Sequence, residues 1–252
     1  MYKKYLFIVF GVTVISPVYS QDIRISELTT ICERSKPNYN ECFKEKINSL
    51  RPKLAVGQPE LNIAALEPFE WNRLILADAQ NPVSGMSFFI KDLKIYKAST
   101  FHLDDIDINF DSGITKVKLS IPSMDVTGKF KIFGTFIVMP VEIYGDISIK
   151  LYGIKAECRT LTTKIEVEPG YTITRLSSMN IKVDSERIRL TLRPKYPSQT
   201  FLVQQIEQRV NADFKNMGRE INYRLEQQLA KILRTGINRA LGTWSYDELF
   251  PL

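Results

Sequence analysis

Histidine is almost missing: the 252 residues hold one, His102. That excludes any zinc site built on two or three imidazoles and leaves a serine or cysteine hydrolase a single route, through a residue set between Phe101 and Leu103 in an expected strand. Cysteine occurs three times, with no paired-cysteine metal motif. Nor is there a glycine-rich phosphate loop or a nucleophile elbow. The acidic run Asp104, Asp105, Asp107, Asn109 and Asp111 has Phe110 where a calcium loop needs glycine and Lys116 where it needs glutamate. Its alternation with Ile106, Ile108 and Phe110 fits the solvent face of a strand instead. No catalytic residue, metal ligand or cofactor is assigned.

Long apolar runs are lacking as well. The longest, Leu6 to Ile15, is too short to span a bilayer. Preceded by Lys3 and Lys4 and followed by Val18 and Ser20 at cleavage-site spacing, it reads as a signal peptide over residues 1–20, which implies a secreted, extracellular protein with one domain over residues 21–252. Losing those two lysines lowers the formal charge from +6 to +4, too mild and too evenly spread to argue for nucleic acid. In an export context Cys32 and Cys42, close together on a segment able to fold back, are the natural disulfide pair. Cys158 is then unpaired and reads as a buried structural thiol.

What is present is a change of period along the chain. From Ser198 to Leu241 apolar residues recur in steps of three and four, through Val203, Ile206, Val210, Phe214, Met217, Ile221, Leu225, Leu229 and Ile232, and predict one continuous helix of roughly 60 Å. The mixed charges opposite mark a solvated side. Cys42 to Leu50 predicts a short helix limited by Pro52. Between Phe88 and Leu192 the period is two. Thr115–Ile121, Lys129–Val138, Ile147–Leu151, Leu161–Val167 and Ile188–Leu192 read as separate short antiparallel strands, as do Ile106, Ile108 and Phe110, and Trp71 begins another. Strands followed by one long helix predict an α+β fold, a curved antiparallel sheet rolled around a rod.

The inward faces carry an excess of large apolar side chains: Phe88, Phe130, Ile132, Phe136, Phe214, Met217 and Ile221. A tube that its own side chains do not fill is an elongated apolar cavity. Phe130, Ile132, Phe136 and Val138 are the expected sheet wall, and Phe214, Met217, Ile221 and Leu225 the helix wall. Tyr171, sharing a face with Ile173, is the candidate polar anchor.

Several segments are similar to one known family in the same order. They are the pair Cys32 and Cys42, then Ile47, Leu50 and Pro52; Gly57, Pro59, Leu61, Ile63, Leu66, Pro68 and Phe69, with Glu67 at the acidic position; Ile121, Pro122, Gly128, Phe130, Ile132, Gly134 and Pro140; Asn211 and Phe214; and Asp247, Glu248, Leu249 and Phe250. Over nearly the whole mature chain the sequence resembles the insect takeout and juvenile-hormone-binding protein family. Phe214 stands where the family usually has tryptophan, and Cys158 lacks the partner that a second disulfide in the hormone carriers would give it, which is nearer the takeout-like branch.

The resemblance implies a tubular lipid-binding fold and carriage of a terpenoid, fatty acid or similar lipid in an internal tunnel, by a monomer that is not an enzyme. The segment from Cys32 to Leu50 is the expected lid. Two alternatives stand beside the carrier: a lipid-transfer module in transient contact with a membrane or receptor, and an esterase dependent on His102.

Overall fold

The computed structural model describes residues 31–78, 86–136, 139–213 and 219–252; the expected signal segment, Val138, Phe214 and Met217 lie outside them, as does the side chain of Phe136. Helix α1 (Tyr39–Val56) is followed by β1 (Phe69–Ala77), β2 (Met86–Tyr96), β3 (His102–Asn109), β4 (Ile114–Phe136), β5 (Met139–Glu168) and β6 (Tyr171–Pro194). Helices α2 (Thr200–Asp213), α3 (Arg219–Leu241) and α4 (Tyr246–Leu249) complete the chain. The sheet runs β1-β2-β4-β5-β6, with β3 pairing to the first half of β4, and every pairing is antiparallel.

Helix α1 extends on both sides of the predicted Cys42–Leu50 stretch, and Pro52 lies inside it instead of ending it. Proline at that position deprives the Asn48 carbonyl of its helical donor. Arg51 Nε supplies the missing bond at 2.9 Å, so the helix continues. The predicted rod from Ser198 to Leu241 is described as two helices, α2 beginning at Thr200 after a 3-10 turn over Pro197–Gln199, with residues 214–218 outside the description. Phe110 falls just beyond β3 and packs edge-on against Tyr39 (5.1 Å) and Phe250 (5.6 Å).

The predicted short strands are fused into three long ones. Thr115–Ile121 and the start of Lys129–Val138 belong to β4, Ile147–Leu151 and Leu161–Val167 to β5, and Ile188–Leu192 to β6. A change of phase across the sheet hides this continuity. Ile121 pairs with Ile154 and Ser123 with Tyr152, while Ile154 pairs with Ser185 and Tyr152 with Arg187, so Pro122, Gly153 and Glu186 lie on one transverse line. On one side of it the inward positions are Ile121, Ile154 and Ser185; on the other they are Met124, Leu151 and Ile188. Gly153 makes the switch with a left-handed φ of 58°, where a Cβ would come within 2.5 Å of the Glu186 side chain. Alternation restarts out of step there, and a sequence reading takes each restart for a new strand.

A curled sheet that does not close leaves unpaired edges, here those of β1, β3 and β6. Side-chain carboxamides on the helices each pair with one residue of these edges, and all three edges are met in this way at one point or more. Asn48 of α1 donates to the Leu103 carbonyl (3.1 Å) and accepts from its N–H (2.9 Å). Gln228 of α3 does the same at Ile75 (2.7 and 3.0 Å), Asn238 at Leu176 (3.0 and 2.7 Å), and Asn211 of α2 at Leu190 (3.0 and 2.7 Å). Carboxylates add to the β6 edge: Glu226 accepts from Val183 N at 3.0 Å and Glu207 from Leu192 N. A carboxamide has the one donor and one acceptor orientation of a peptide, so each residue acts as a one-residue strand.

Two apolar clusters fill the ends. In the larger, Trp71, Ile90, Phe130, Ile132, Ile143 and Leu192 pack with Val203 of α2, joined by Leu225, Leu229 and Ile232 of α3. In the smaller, Leu61, Trp244 and Leu249 meet. Cys32 and Cys42 are bonded, and Arg34 next to that bridge donates its backbone N–H to Pro251 O at 2.8 Å, so the start of the described chain and its C-terminus are fastened together.

Two outcomes are expected. Asn211→Leu and Asn238→Leu each leave a part-buried edge peptide without its partners and should cost about 1–3 kcal/mol each in urea unfolding, whereas a change under a few tenths would show water replacing the clamp. Glu67 accepts from Lys97 N (2.7 Å), Ser99 N (2.8 Å) and Ser99 Oγ (2.8 Å). Burial pushes its carboxyl up, but those bonds outweigh it and hold the pKa below the usual carboxylate range. The folded pKa is the lower one, so its contribution is complete above the unfolded pKa of about 4.3 and is lost as pH falls through the folded value. Unfolding curves of Glu67→Gln should lose that part of the acid dependence and coincide more closely with wild type at low pH than at neutral pH.

Candidate functional site

Helix α3 lies against β6 and against β1, the first and last strands of the rolled sheet, and its carboxamides fix it to both edges. Strands β4 and β5 arch between those edges. Their inward side chains differ along their length. At the end holding the large cluster, Phe130, Ile132, Ile143 and Ile147 are buried against α2 and α3. Near the transverse line and beyond it some inward residues, Ile154, Leu176 and Ile181 among them, are buried, and the other inward apolar residues are half-buried. They form rows across the sheet: Met124–Leu151–Ile188, Leu119–Ala156–Val183, and Val117–Cys158 next to the buried Ile181. Inward apolar groups with half-covered surfaces are where a molecule-sized apolar surface would be received.

Of the residues singled out in the sequence, Phe130, Ile132 and Leu225 come together in the large cluster, with Phe88, opposite Ile132, packed against it. Ile221 is half-buried one turn before Leu225 on α3. Phe136 ends β4, its side chain undescribed, and Val138, Phe214 and Met217 lie outside the described residues. Tyr171 stands apart: it is 41% exposed at the very start of β6, away from the large cluster, while Ile173 bridges to Ser245. Sequence reasoning passed over Asn48, Gln228 and Asn238. The signal for them was a carboxamide interrupting a helical side chain pattern, and its meaning depends on which strand edge the fold brings alongside.

Polar chemistry in the interior is sparse. Cys158 is an unpaired thiol on β5 whose pKa burial pushes up to about 11, so at neutral pH it carries almost no thiolate. Outside, His102 Nδ1 contacts Asp104 Oδ1 at 3.1 Å, and Ser120 Oγ donates to the same Asp104 oxygen at 2.9 Å. The hydroxyl proton is directed to the carboxylate and not to the imidazole, which is the wrong order for a serine nucleophile. Asp105 and Asp107 pair with Lys118 (3.8 Å) and Lys116 (3.2 Å) on that outer face, and among the described residues no three metal-ligating groups converge. Two open clefts are also present. One, of about 290 Å³, is lined by Ser148, Lys150, Tyr152, Arg189 and Thr191; the other, of about 680 Å³, shares Ser148 and Thr191 with it and extends to Lys129, Asp146 and Arg193.

Comparison with known proteins agrees with this architecture. Takeout 1 of Epiphyas postvittana superposes with a TM-score of 0.73 at 15% identity, over 88% of this chain and 99% of that one, and so has the same fold. The circadian clock-controlled protein daywake of Drosophila yakuba and that of Drosophila melanogaster are each 17% identical over 224 residues, covering 86% of this chain and 86% of the relative. The model of the haemolymph juvenile hormone binding protein family matches residues 6–251. With that match over nearly its whole length, and with a sheet rolled around C-terminal helices, the chain belongs to the haemolymph juvenile hormone binding protein family.

Proposed function

We propose that this protein is a secreted carrier that shields a small hydrophobic ligand, a terpenoid such as juvenile hormone, a fatty acid or a similar lipid, in an internal apolar tunnel. One observation carries the reading: the half-covered inward rows Met124–Leu151–Ile188 and Leu119–Ala156–Val183, lying under an arch whose two edges are held by one helix. Binding draws its free energy from apolar surface leaving water, roughly 2.5 kcal/mol for each 100 Å² covered. Phe130, Ile132 and Leu225 bound the tunnel at its packed end. Phe88 and Ile221 continue its walls, and Tyr171 stands at the far mouth. Membership of a family named for hormone binding and for haemolymph supports both the cargo class and secretion.

Helix α1, fastened by the Cys32–Cys42 bond, covers the β3 edge and serves as the lid at that end. Reducing the bond should speed ligand exchange; unchanged exchange rates would remove the lid from the account.

Solvent extraction of the purified protein followed by mass spectrometry is expected to return an apolar small molecule in near-stoichiometric amount. Ala156→Trp, which fills the middle of the rows, should weaken uptake of a fluorescent fatty acid at least about tenfold with circular dichroism unchanged, as expected when apolar contact area of one side chain is denied to the ligand. Arg189→Ala, on the outer face, should leave uptake as it is. Undiminished uptake by a folded Ala156→Trp protein would put the ligand elsewhere. Cys158 offers a second reading of the same site. Because only thiolate reacts, modification by an apolar methanethiosulfonate should accelerate as pH rises toward about 11, and bound ligand should slow it.

A further inference from the structure

The two ends of the sheet differ in what they expose. At the end where β4 stops and α2 starts, Phe201 is 74% exposed, Tyr196 47%, and Phe133 and Leu202 37% each. These are not scattered. The Tyr144 hydroxyl donates to the Tyr196 hydroxyl at 2.9 Å, and Lys195 N donates to the Tyr144 carbonyl at 2.8 Å. Gln199 Nε2 donates to the Glu142 carbonyl at 2.8 Å, fixing the start of α2, and so Phe201, to this corner of the sheet. Cations accompany the rings: the Lys195 ammonium lies 5.4 Å from the Tyr144 ring centre and 5.9 Å from that of Tyr196, and the Lys131 ammonium, paired with Glu142, lies 5.3 Å from the Phe133 ring.

The opposite end exposes Val167 and Tyr171 beside Glu166 and Glu168, with the Lys164 ammonium over the Tyr246 ring, so its charge is mixed. Projecting aromatic and aliphatic groups with a lysine beside them match the interfacial layer of a membrane, where rings sit at headgroup depth and ammonium groups meet phosphate or carboxylate. A protein partner would have to receive these projecting groups in pockets of its own; a fluid bilayer does so without complementary shape.

We propose that this end docks on the surface of an anionic lipid bilayer, Phe201, Leu202 and Tyr196 entering the headgroup region while Lys195 pairs with lipid anions. Docking of this kind does not depend on the tunnel, and it assigns a direction to the molecule. The end that reaches the membrane is the one at β4 and α2.

Sedimentation of the full protein with phosphatidylcholine vesicles, with and without phosphatidylserine, tests it. Wild type is expected to bind the mixed vesicles, far less the neutral ones, and to be released by salt. Phe201→Ser should weaken binding about tenfold through lost apolar contact, and Lys195→Glu several-fold through lost attraction to lipid anions. Val167→Ser at the other end should change nothing. Fatty-acid uptake in solution should be intact in all three, which separates failure of docking from failure of the carrier. No binding by wild type, binding that ignores both Phe201→Ser and Lys195→Glu, or equal binding to neutral vesicles would overturn the proposal.

Discussion

An unclosed sheet presents unpaired backbone groups along its edges, and here side-chain carboxamides meet them at four points. Asn48, Asn211, Gln228 and Asn238 each present to one edge residue the same donor and acceptor pair that another strand would offer. The arrangement does more than prevent aggregation through the exposed ladder. It ties α2 and α3 to backbone atoms whose positions are set by the sheet, so the helices are located by hydrogen bonds at the rim as well as by packing at the centre. A helix located only by packing would sink toward the middle of the arch until side chains met. One held at β1 and β6 can stand off from β4 and β5.

Side-chain size along the strands fits that division. Where the sheet meets α2 and the first turns of α3, the inward residues are large, Trp71, Phe130 and Ile132 among them, and the cluster is closed. Across the transverse line through Gly153 the inward residues include the small Val117, Ala156, Cys158 and Val183, half-buried beside the buried Ile154 and Ile181. The same chain therefore combines a packed end that supplies stability with a middle left incompletely covered. In the carrier proposed above, cargo supplies the missing contacts, and the resulting complex is more stable than the empty protein in proportion to how well it is filled.

The sequence made this fold class readable because its two periods are strong. Alternation in Thr115–Ile121 and the three-and-four spacing from Val203 to Ile232 each report a buried face directly, and the Cys32–Cys42 bond follows from proximity and compartment. Three features were not readable, each because its cause is non-local. Strand length was hidden by the phase change at Pro122, Gly153 and Glu186, which only the cross-strand register brings onto one line. The helix end at Pro52 was hidden by Arg51, whose side chain takes over the Asn48 carbonyl. The edge clamps were hidden because Gln228 and Ile75 are 153 residues apart, and an asparagine or glutamine in a helix looks the same whether it faces water or a strand.

Polarity along the tube is the remaining consequence of the same geometry. The end near α1 and α4 is covered: Tyr39, Phe110 and Phe250 stack edge to face, Arg34 lies over the Tyr246 ring at 5.1 Å, and the Ser245–Glu248 capping box holds the last short helix in place. Burial, with a smaller contribution from Tyr246, pushes the Tyr39 hydroxyl well above its ordinary pKa, as expected of a group sealed from solvent. At the other end Phe201 and Tyr196 remain in water beside Lys195. Leaving large apolar surface exposed is unfavourable unless something other than water meets it. A molecule covered at one end and apolar at the other has a preferred side for approaching a lipid phase.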